Sequence, residues 1–358
     1  DAAALAERGL SHVAALPPET RLPLHLDLLG LYVHPGMEDH QPDRLDEALR
    51  RATAEAQEAG LDAQVQNGFY LIGLLYFQRG DFHRALDVTL RAEEAGRRAN
   101  PVTVVRAIAD TARCLGMLGR EMARAEKLAR EAQSLADEFD LDVDGCELPL
   151  ALGLVHRHAG ELDEALRHVK RAVARSCRDH HPWWEYYCRS WLPILELERG
   201  RPDEALARCD ELRRVTEKMG AGSEATFAAA LEALARYALG EEDALPTVEA
   251  AVERLRTLDS QWMLAYVQLF AAGLELDRSR LESARARAED ALRAAQTVDR
   301  PSEVALARAL LARLSVQAGD RTTAQRHLDA VAADAQTPHR LSARARRAFD
   351  RAAALLDG

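Results

Sequence analysis

Two groups of side chains have types and spacings that could do chemistry. The first is Cys177, His180, His181 and Cys188, with His156, His158 and His168 one repeat earlier. Thiolate and imidazole are zinc ligands, but structural zinc sites use two tight pairs, commonly C-x2-4-C and H-x3-5-H. Here the cysteines stand 11 residues apart and the histidines are adjacent, so their side chains diverge. No metal is expected. Pro182 fits the first turn of a helix, which leaves His180 and His181 in the loop before it. Catalytic signatures are missing as well: there is no HExxH, no GxSxG and no GxGxxG after a strand. Acidic pairs such as Asp163 and Glu164 recur at equivalent places in the chain, which marks them as helix starters rather than general acids. Neither an enzyme nor a cofactor is expected.

The second group is aromatic. Trp183, Tyr187 and Trp191 are spaced i, i+4, i+8, and Trp262, Tyr266 and Phe270 repeat that stripe 79 residues later. Phe227 holds the matching place between them, and Leu306 and Leu310 continue the line. Rings on neighbouring helices can line a groove for a peptide or small ligand. They can equally be core, and the sequence leaves both readings open.

The elements that must carry these groups are helices. Of 358 residues, 47% are apolar but only 5% aromatic, and Ala, Leu, Arg and Glu dominate. These residues lose little entropy on entering a helix, whereas the β-branched residues a large sheet needs are sparse. The fold class is all-α. The net charge of −11, with both signs interleaved, describes solvated helix faces. It argues against nucleic-acid binding, which needs a basic face. One basic run, Arg340, Arg344, Arg346, Arg347 and Arg351, suits either a partner contact or a frayed, solvated end. Five cysteines without a CxxC pair fit reduced thiols in a cytoplasmic protein. No apolar run approaches a membrane span, and no signal peptide is seen. The chain starts at Asp1 with helical patterning already under way, so a piece of a longer polypeptide is expected.

A phrase recurs with a period near forty. It reads GDFHRAL from Gly80, GELDEAL from Gly160, GRPDEAL from Gly200 and GDRTTAQ from Gly319, with looser copies from Gly119, Gly240 and Ser279. Successive starts are 39, 41, 40, 40, 39 and 40 residues apart, and DRLDEAL from Asp43 precedes them. Each copy predicts a helical hairpin. Glycine ends the first helix in a left-handed conformation, an acidic residue starts the second, and a small Ala lets the two approach. A hairpin alone buries too little, so neighbours stack. With a first pair around Leu5–Leu16 and Leu22–Tyr32, about eight hairpins form a single domain over 1–358.

These residues resemble the tetratricopeptide repeat (TPR). In FYLIGLLYFQRGDFHRALDVTLRA, residues Phe69, Ile72, Gly73, Tyr76, Gly80, Ala85 and Ala92 fall at that family's large, small and aromatic positions. Gly153, Gly160, Ala165 and Ala172 do so in a second copy. The forty-residue unit exceeds the usual 34 and carries few of the family's prolines. Such long repeats are similar to the sensor region of bacterial signal-transduction ATPases with numerous domains (STAND), of which the maltose-regulon activator is a relative. The resemblance implies a right-handed α-α superhelix. It also implies a non-catalytic sensor of a protein, peptide or small effector on the concave surface, coupled to a nucleotide switch and to transcription regulation. No phosphate-binding loop or helix-turn-helix lies in this chain, so the switch would lie outside it. A free-standing scaffold for complex assembly is the alternative, and a zinc-dependent module using Cys177 and Cys188 is a third.

The family pattern also bears on the stripe. In TPR units the positions of Phe69, Ile72, Gly73 and Tyr76 face the core, and a helical wheel puts the aromatic stripe opposite them, toward the groove. In later repeats, however, that core set includes Arg189, Glu196, Arg236, Gln268, Glu275 and Arg308. Unpaired charge buried at so many places is too costly. The expectation is therefore that the later first helices are rotated, packing the stripe between repeats and leaving the polar line on the groove. Pro193 should kink its helix beside the rings. In the N-terminal half, Asn67, Arg106, Asp110 and Glu147 are the polar groove candidates.

Overall fold

A computed structural model describes residues 2–13, 15–33, 42–78, 81–141, 145–178 and 182–357. Eighteen α-helices and no strands are present among them. They are α1 (Ala2–Val13), α2 (Pro18–Val33), α3 (Pro42–Glu58), α4 (Asp62–Gln78), α5 (Phe82–Gly96), α6 (Pro101–Leu118), α7 (Met122–Glu138), α8 (Glu147–Ala159) and α9 (Leu162–Arg178). They continue with α10 (Pro182–Glu198), α11 (Pro202–Thr216), α12 (Ser223–Ala238), α13 (Leu245–Thr257), α14 (Gln261–Asp277), α15 (Leu281–Thr297), α16 (Pro301–Gln317), α17 (Arg321–Gln336) and α18 (Ala343–Asp357). The recurring phrase joins them into eight hairpins, α2/α3 through α16/α17, flanked by α1 and α18. This is a TPR-like α-solenoid architecture.

The punctuation acts as its chemistry demands. Gly119, Gly160, Gly200, Gly240 and Gly319 all have positive φ, and Ser279 holds the same place at φ 59°. Gly80 lies outside the described residues. The Ala that follows the turn is buried in seven copies (Ala85, Ala125, Ala165, Ala205, Ala244, Ala284, Ala324) and half-buried in the first, at Ala48. Asp81 and Asp320 cap the next helix by accepting from the backbone N–H of Arg84 (3.2 Å) and Thr323 (2.9 Å).

The backbone packs into two compact units. Unit 1 comprises Asp1–Leu115 with Arg124–Ala151, and unit 2 comprises Gly116–Ala123 with Leu152–Gly358. In unit 1, α4 packs against α2, α3 and α5. In unit 2 each first helix (α10, α12, α14, α16) packs against the second helices before and after it. The first helices also touch one another in the order α10, α12, α14, α16, α18. Helix α10 runs unbroken through Pro193 to Glu198.

Close approach within a hairpin depends on small residues in the first helix. At Gly153 an added Cβ would lie 2.7 Å from Val169 Cγ2 and 3.3 Å from the Ala165 carbonyl oxygen, which is backbone and cannot swing aside. Gly153→Ala gains helix propensity but must push α8 and α9 apart. The expected net loss is about 1–3 kcal/mol, read from the urea midpoint; a midpoint that rises instead would show the interface to be slack.

Candidate functional site

The aromatic stripe comes together in unit 2. Trp191 on α10 stacks on Trp262 of α14 (centroids 6.3 Å, 17° between planes), across the top of α12. Phe227 of α12 meets Trp262 edge-on at 5.0 Å and Tyr266 at 6.1 Å, and Tyr266 stacks on Phe270 at 6.2 Å. The Tyr266 hydroxyl reaches the Ile194 carbonyl of α10 at 3.5 Å. Rings of α10, α12 and α14 thus pack together between repeats: Trp191, Phe227 and Tyr266 are buried, while Trp262 and Phe270 are half-buried. Trp183 and Tyr187 stack on each other at 5.2 Å, also buried, at the N-terminal end of α10.

The stripe is packed between repeats, but the polar line is not left on the surface as expected: Glu196, Gln268 and Glu275 are buried, and they are paired where they lie. Glu196 accepts from Arg199 at 2.7 Å. Gln268 donates to Asp290 (2.7 Å) and accepts from Arg287 (2.9 Å), and Glu275 accepts from the Tyr237 hydroxyl at 2.5 Å. Arg189 sits between Glu185 (2.8 Å) and Glu211 (2.6 Å). Arg236 is exposed and Arg308 half-buried. The cost that motivated a rotation belongs to unpaired charge, and these groups have partners.

Beside the stripe lies a cluster of ions that no motif announced. Arg157, at the end of α8, gives Glu198 of α10 two hydrogen bonds, at 2.6 and 3.0 Å, with its guanidinium 5.2 Å from the centroid of Trp191. Arg344 of α18 adds one at 3.1 Å and lies 5.8 Å from the centroid of Phe270. The Glu198 side chain is 3% exposed. Next to it Arg300 pairs with Glu303 at 2.6 Å and also donates to the Met117 carbonyl. The turn after α6 is held again where Arg120 donates to the Asp299 carbonyl at 2.9 and 3.0 Å. Tyr266, Leu269, Leu306, Ser302 and Ser342 complete a narrow cavity of about 20 Å³, room for roughly one water.

Burial works to raise Glu198, yet Arg157 and Arg344 override it and hold the carboxyl below its usual range. Burial likewise opposes ionisation of Glu303, and Arg300 outweighs it. His158 binds the His339 carbonyl through Nε2 at 3.1 Å; burial, aided by Arg157, pushes its pKa down to about 4. The folded state thus disfavours the imidazolium, while an unfolded histidine titrates near 6.5. Between those values the unfolded chain binds more protons, so stability falls as pH drops from about 6.5 toward 4. His168, also pushed down to about 4, acts with the same sign. Urea midpoints at pH 7 and pH 5 are expected to lie closer together in His158→Gln than in the parent chain; an unchanged gap would exclude His158 as a contributor.

In unit 1 the structure gathers some of the N-terminal candidates. Glu147, buried in the first turn of α8, accepts from the Tyr70 hydroxyl at 3.2 Å. Burial and the charge of Asp110 push its carboxyl up. Asp110 is bound by Arg113 at 2.6 Å. Asn67 is half-buried and Arg106 exposed.

His180 and His181 lie outside the described residues. Cys188 is buried and Cys177 half-buried, with the Arg189 guanidinium 3.4 Å from the Cys177 sulfur. No group of three metal-ligating side chains occurs among the described residues. None of the five cysteines forms a disulfide. No described helix is long and apolar enough to cross a membrane. The basic C-terminal run is pinned rather than frayed: besides Arg344, Arg346 bonds the Ala335 and Thr337 carbonyls and Arg340 bonds Asp334.

Sequence reasoning missed Arg157, Glu198, Arg300 and Glu303. One signal was available: Arg157 and Glu198 are opposite charges one repeat apart, each just before a turn glycine.

No protein-family model matches the chain, and no curated protein sequence does either. Solved structures do match. The Rap conjugation gene regulator of plasmid pLS20, in complex with a Phr peptide, superimposes with TM-score 0.55 at 11% identity, covering 99% of this chain and 96% of that one. The apo quorum sensor NprR of B. thuringiensis gives 0.55 at 12% identity, covering 91% of each. A STAND protein with a TPR sensor from Pyrococcus horikoshii gives 0.53 at 14% identity. There the match covers 93% of this chain but 52% of the other, so the chain spans about half its length. At such identities these likenesses establish the fold: a TPR-like helical-repeat solenoid.

Proposed function

We propose that the chain is a non-catalytic interaction module that receives a peptide or protein segment on the inner surface of unit 2. One observation carries this reading: α8, α10, α14, α16 and α18 all direct side chains to a single place, where aromatic faces adjoin the ion cluster of Arg157, Glu198 and Arg344. Anchoring rings beside charged hydrogen-bonding groups are what peptide recognition uses. The peptide-bound Rap regulator of the same fold supports the class of ligand.

The inner surface is closed, so a ligand must open it. It can shift that balance only by binding the open form more tightly. Opening would move the N-terminal end of α18 and the turns at Gly119 and Asp299 away from α8 and α10. Such a motion suits coupling to a STAND-type nucleotide switch carried outside these residues, and the match to the Pyrococcus STAND protein supports that finer reading.

The test is fluorescence polarisation of the chain against a peptide library graded by charge and length. Saturable binding is expected that Tyr266→Ala weakens at a temperature where melting curves show both chains folded. No binding by any peptide would remove the reading. For the switch, the full-length protein is expected to hydrolyse ATP at a ligand-dependent rate; a full-length gene without a phosphate-binding loop would leave a scaffold.

A further inference from the structure

We infer that the first turn of α18, with the loop before it, is an internal ligand: Arg344 occupies a guanidinium site made by Glu198 and Phe270, and a basic peptide takes its place. The inference rests on the peptide-binding reading of unit 2 and names the ligand's chemistry.

The two arginines on Glu198 are held unequally. Arg157 makes two bonds, lies against Trp191 and has a side chain 17% exposed. It belongs to the site. Arg344 makes one bond at 3.1 Å, is 32% exposed and arrives from 146 residues away in sequence. It is the replaceable one. With Arg344 gone, Arg157 and Arg300 balance Glu198 and Glu303, and the face of Phe270 loses its cover. A buried carboxylate beside a bare aromatic face selects a cation, and a guanidinium satisfies both at once. An acidic ligand would instead meet a carboxylate already committed to arginine.

The main chain of the same segment is also read. His158 Nε2 bonds the His339 carbonyl at 3.1 Å, and Ser302 Oγ accepts the Ser342 N–H at 2.9 Å. Ala343 seats on Gly160, where an added Cβ would lie 2.7 Å from the Ala343 methyl. A carbonyl, an N–H and a guanidinium within six residues are what a short peptide with one arginine presents.

The experiment uses the whole chain and three labelled hexapeptides, alike except for arginine, citrulline or glutamate at one position. Arg344→Ala is expected to bind the arginine peptide on the order of 10-fold tighter than the parent chain, because the internal competitor is removed. Citrulline, a neutral isostere, should lose that gain, and Glu198→Gln in the Arg344→Ala background should abolish it. Should Glu198→Gln fail to fold, Phe270→Leu replaces it, with the melting temperature as control. Equal binding of arginine and citrulline peptides, or preference for glutamate, overturns the proposal while leaving peptide binding intact. Binding of none of them to Arg344→Ala also overturns it, and the charge-graded library then decides whether peptide binding itself stands.

Discussion

Replacing Trp191 with alanine is expected to cost the chain about 3–5 kcal/mol, the range for removing a large buried aromatic side chain. The indole is 2% exposed, stacks on Trp262 and lies under the Arg157 guanidinium. Its loss leaves a void among α8, α10 and α14 that these helices would have to collapse to fill. Arg157 loses its ring, which adds to the cost. Trp191→Phe keeps part of both contacts and should lose roughly half as much, since the smaller ring still fills most of the site. The measurement is the urea unfolding midpoint with its slope. A loss below about 1 kcal/mol would mean that the ring is not packed as described. The same variant separates packing from recognition: a chain that melts early yet binds peptide normally at low temperature uses Trp191 as a wall of the site, not as a contact.

The repeat was legible because its signals are local. A left-handed glycine, an acidic cap and a buried Ala must recur wherever a hairpin must turn and close, and they recur every forty residues. A second punctuation set was equally present and less visible. Gly60, Asp140, Gly220, Asp259, Asp299 and His339 all have positive φ at the return turns, but only two of them are glycine. The burial of the aromatic stripe was legible, but the expectation that the polar line would be left exposed failed because it treated Gln268, Glu275 and Arg189 as unpaired; Arg287, Tyr237 and Glu211, which bind them, sit on other helices, where a wheel cannot see them. The cluster at Glu198 was illegible for a different reason. Arg344 and Glu198 meet only because the hairpins of unit 2 curve enough to bring α18 back to α10. Curvature is the sum of small rotations at every interface, and no single stretch of sequence contains it.

Glu198 offers the sharper test of how that curve is closed. Glu198→Leu leaves Arg157 buried and without its carboxylate, beside a cavity with room for only about one water. Breaking one side of such a pair typically costs about 3–5 kcal/mol. Removing both charges is different. In Arg157→Leu/Glu198→Leu the desolvation penalty disappears together with the attraction, and two apolar side chains meet Trp191, Leu154 and Leu269. Most of the loss should return, leaving the double variant within about 1–2 kcal/mol of the parent. The coupling read from the cycle is then large and favourable. Arg344 makes the pattern specific. Its single bond to Glu198 is partly solvated, so Arg344→Leu alone should cost no more than about 1 kcal/mol, although it comes from the last helix of unit 2. If Arg344→Leu destabilised the chain as severely as Glu198→Leu does, α18 would be a fixed part of the core rather than a displaceable one. Urea titrations of the five chains (parent, Arg157→Leu, Glu198→Leu, the double variant and Arg344→Leu), with the slope checked for constancy, decide between these outcomes, because a displaceable α18 changes the midpoint little while a structural one moves midpoint and slope together.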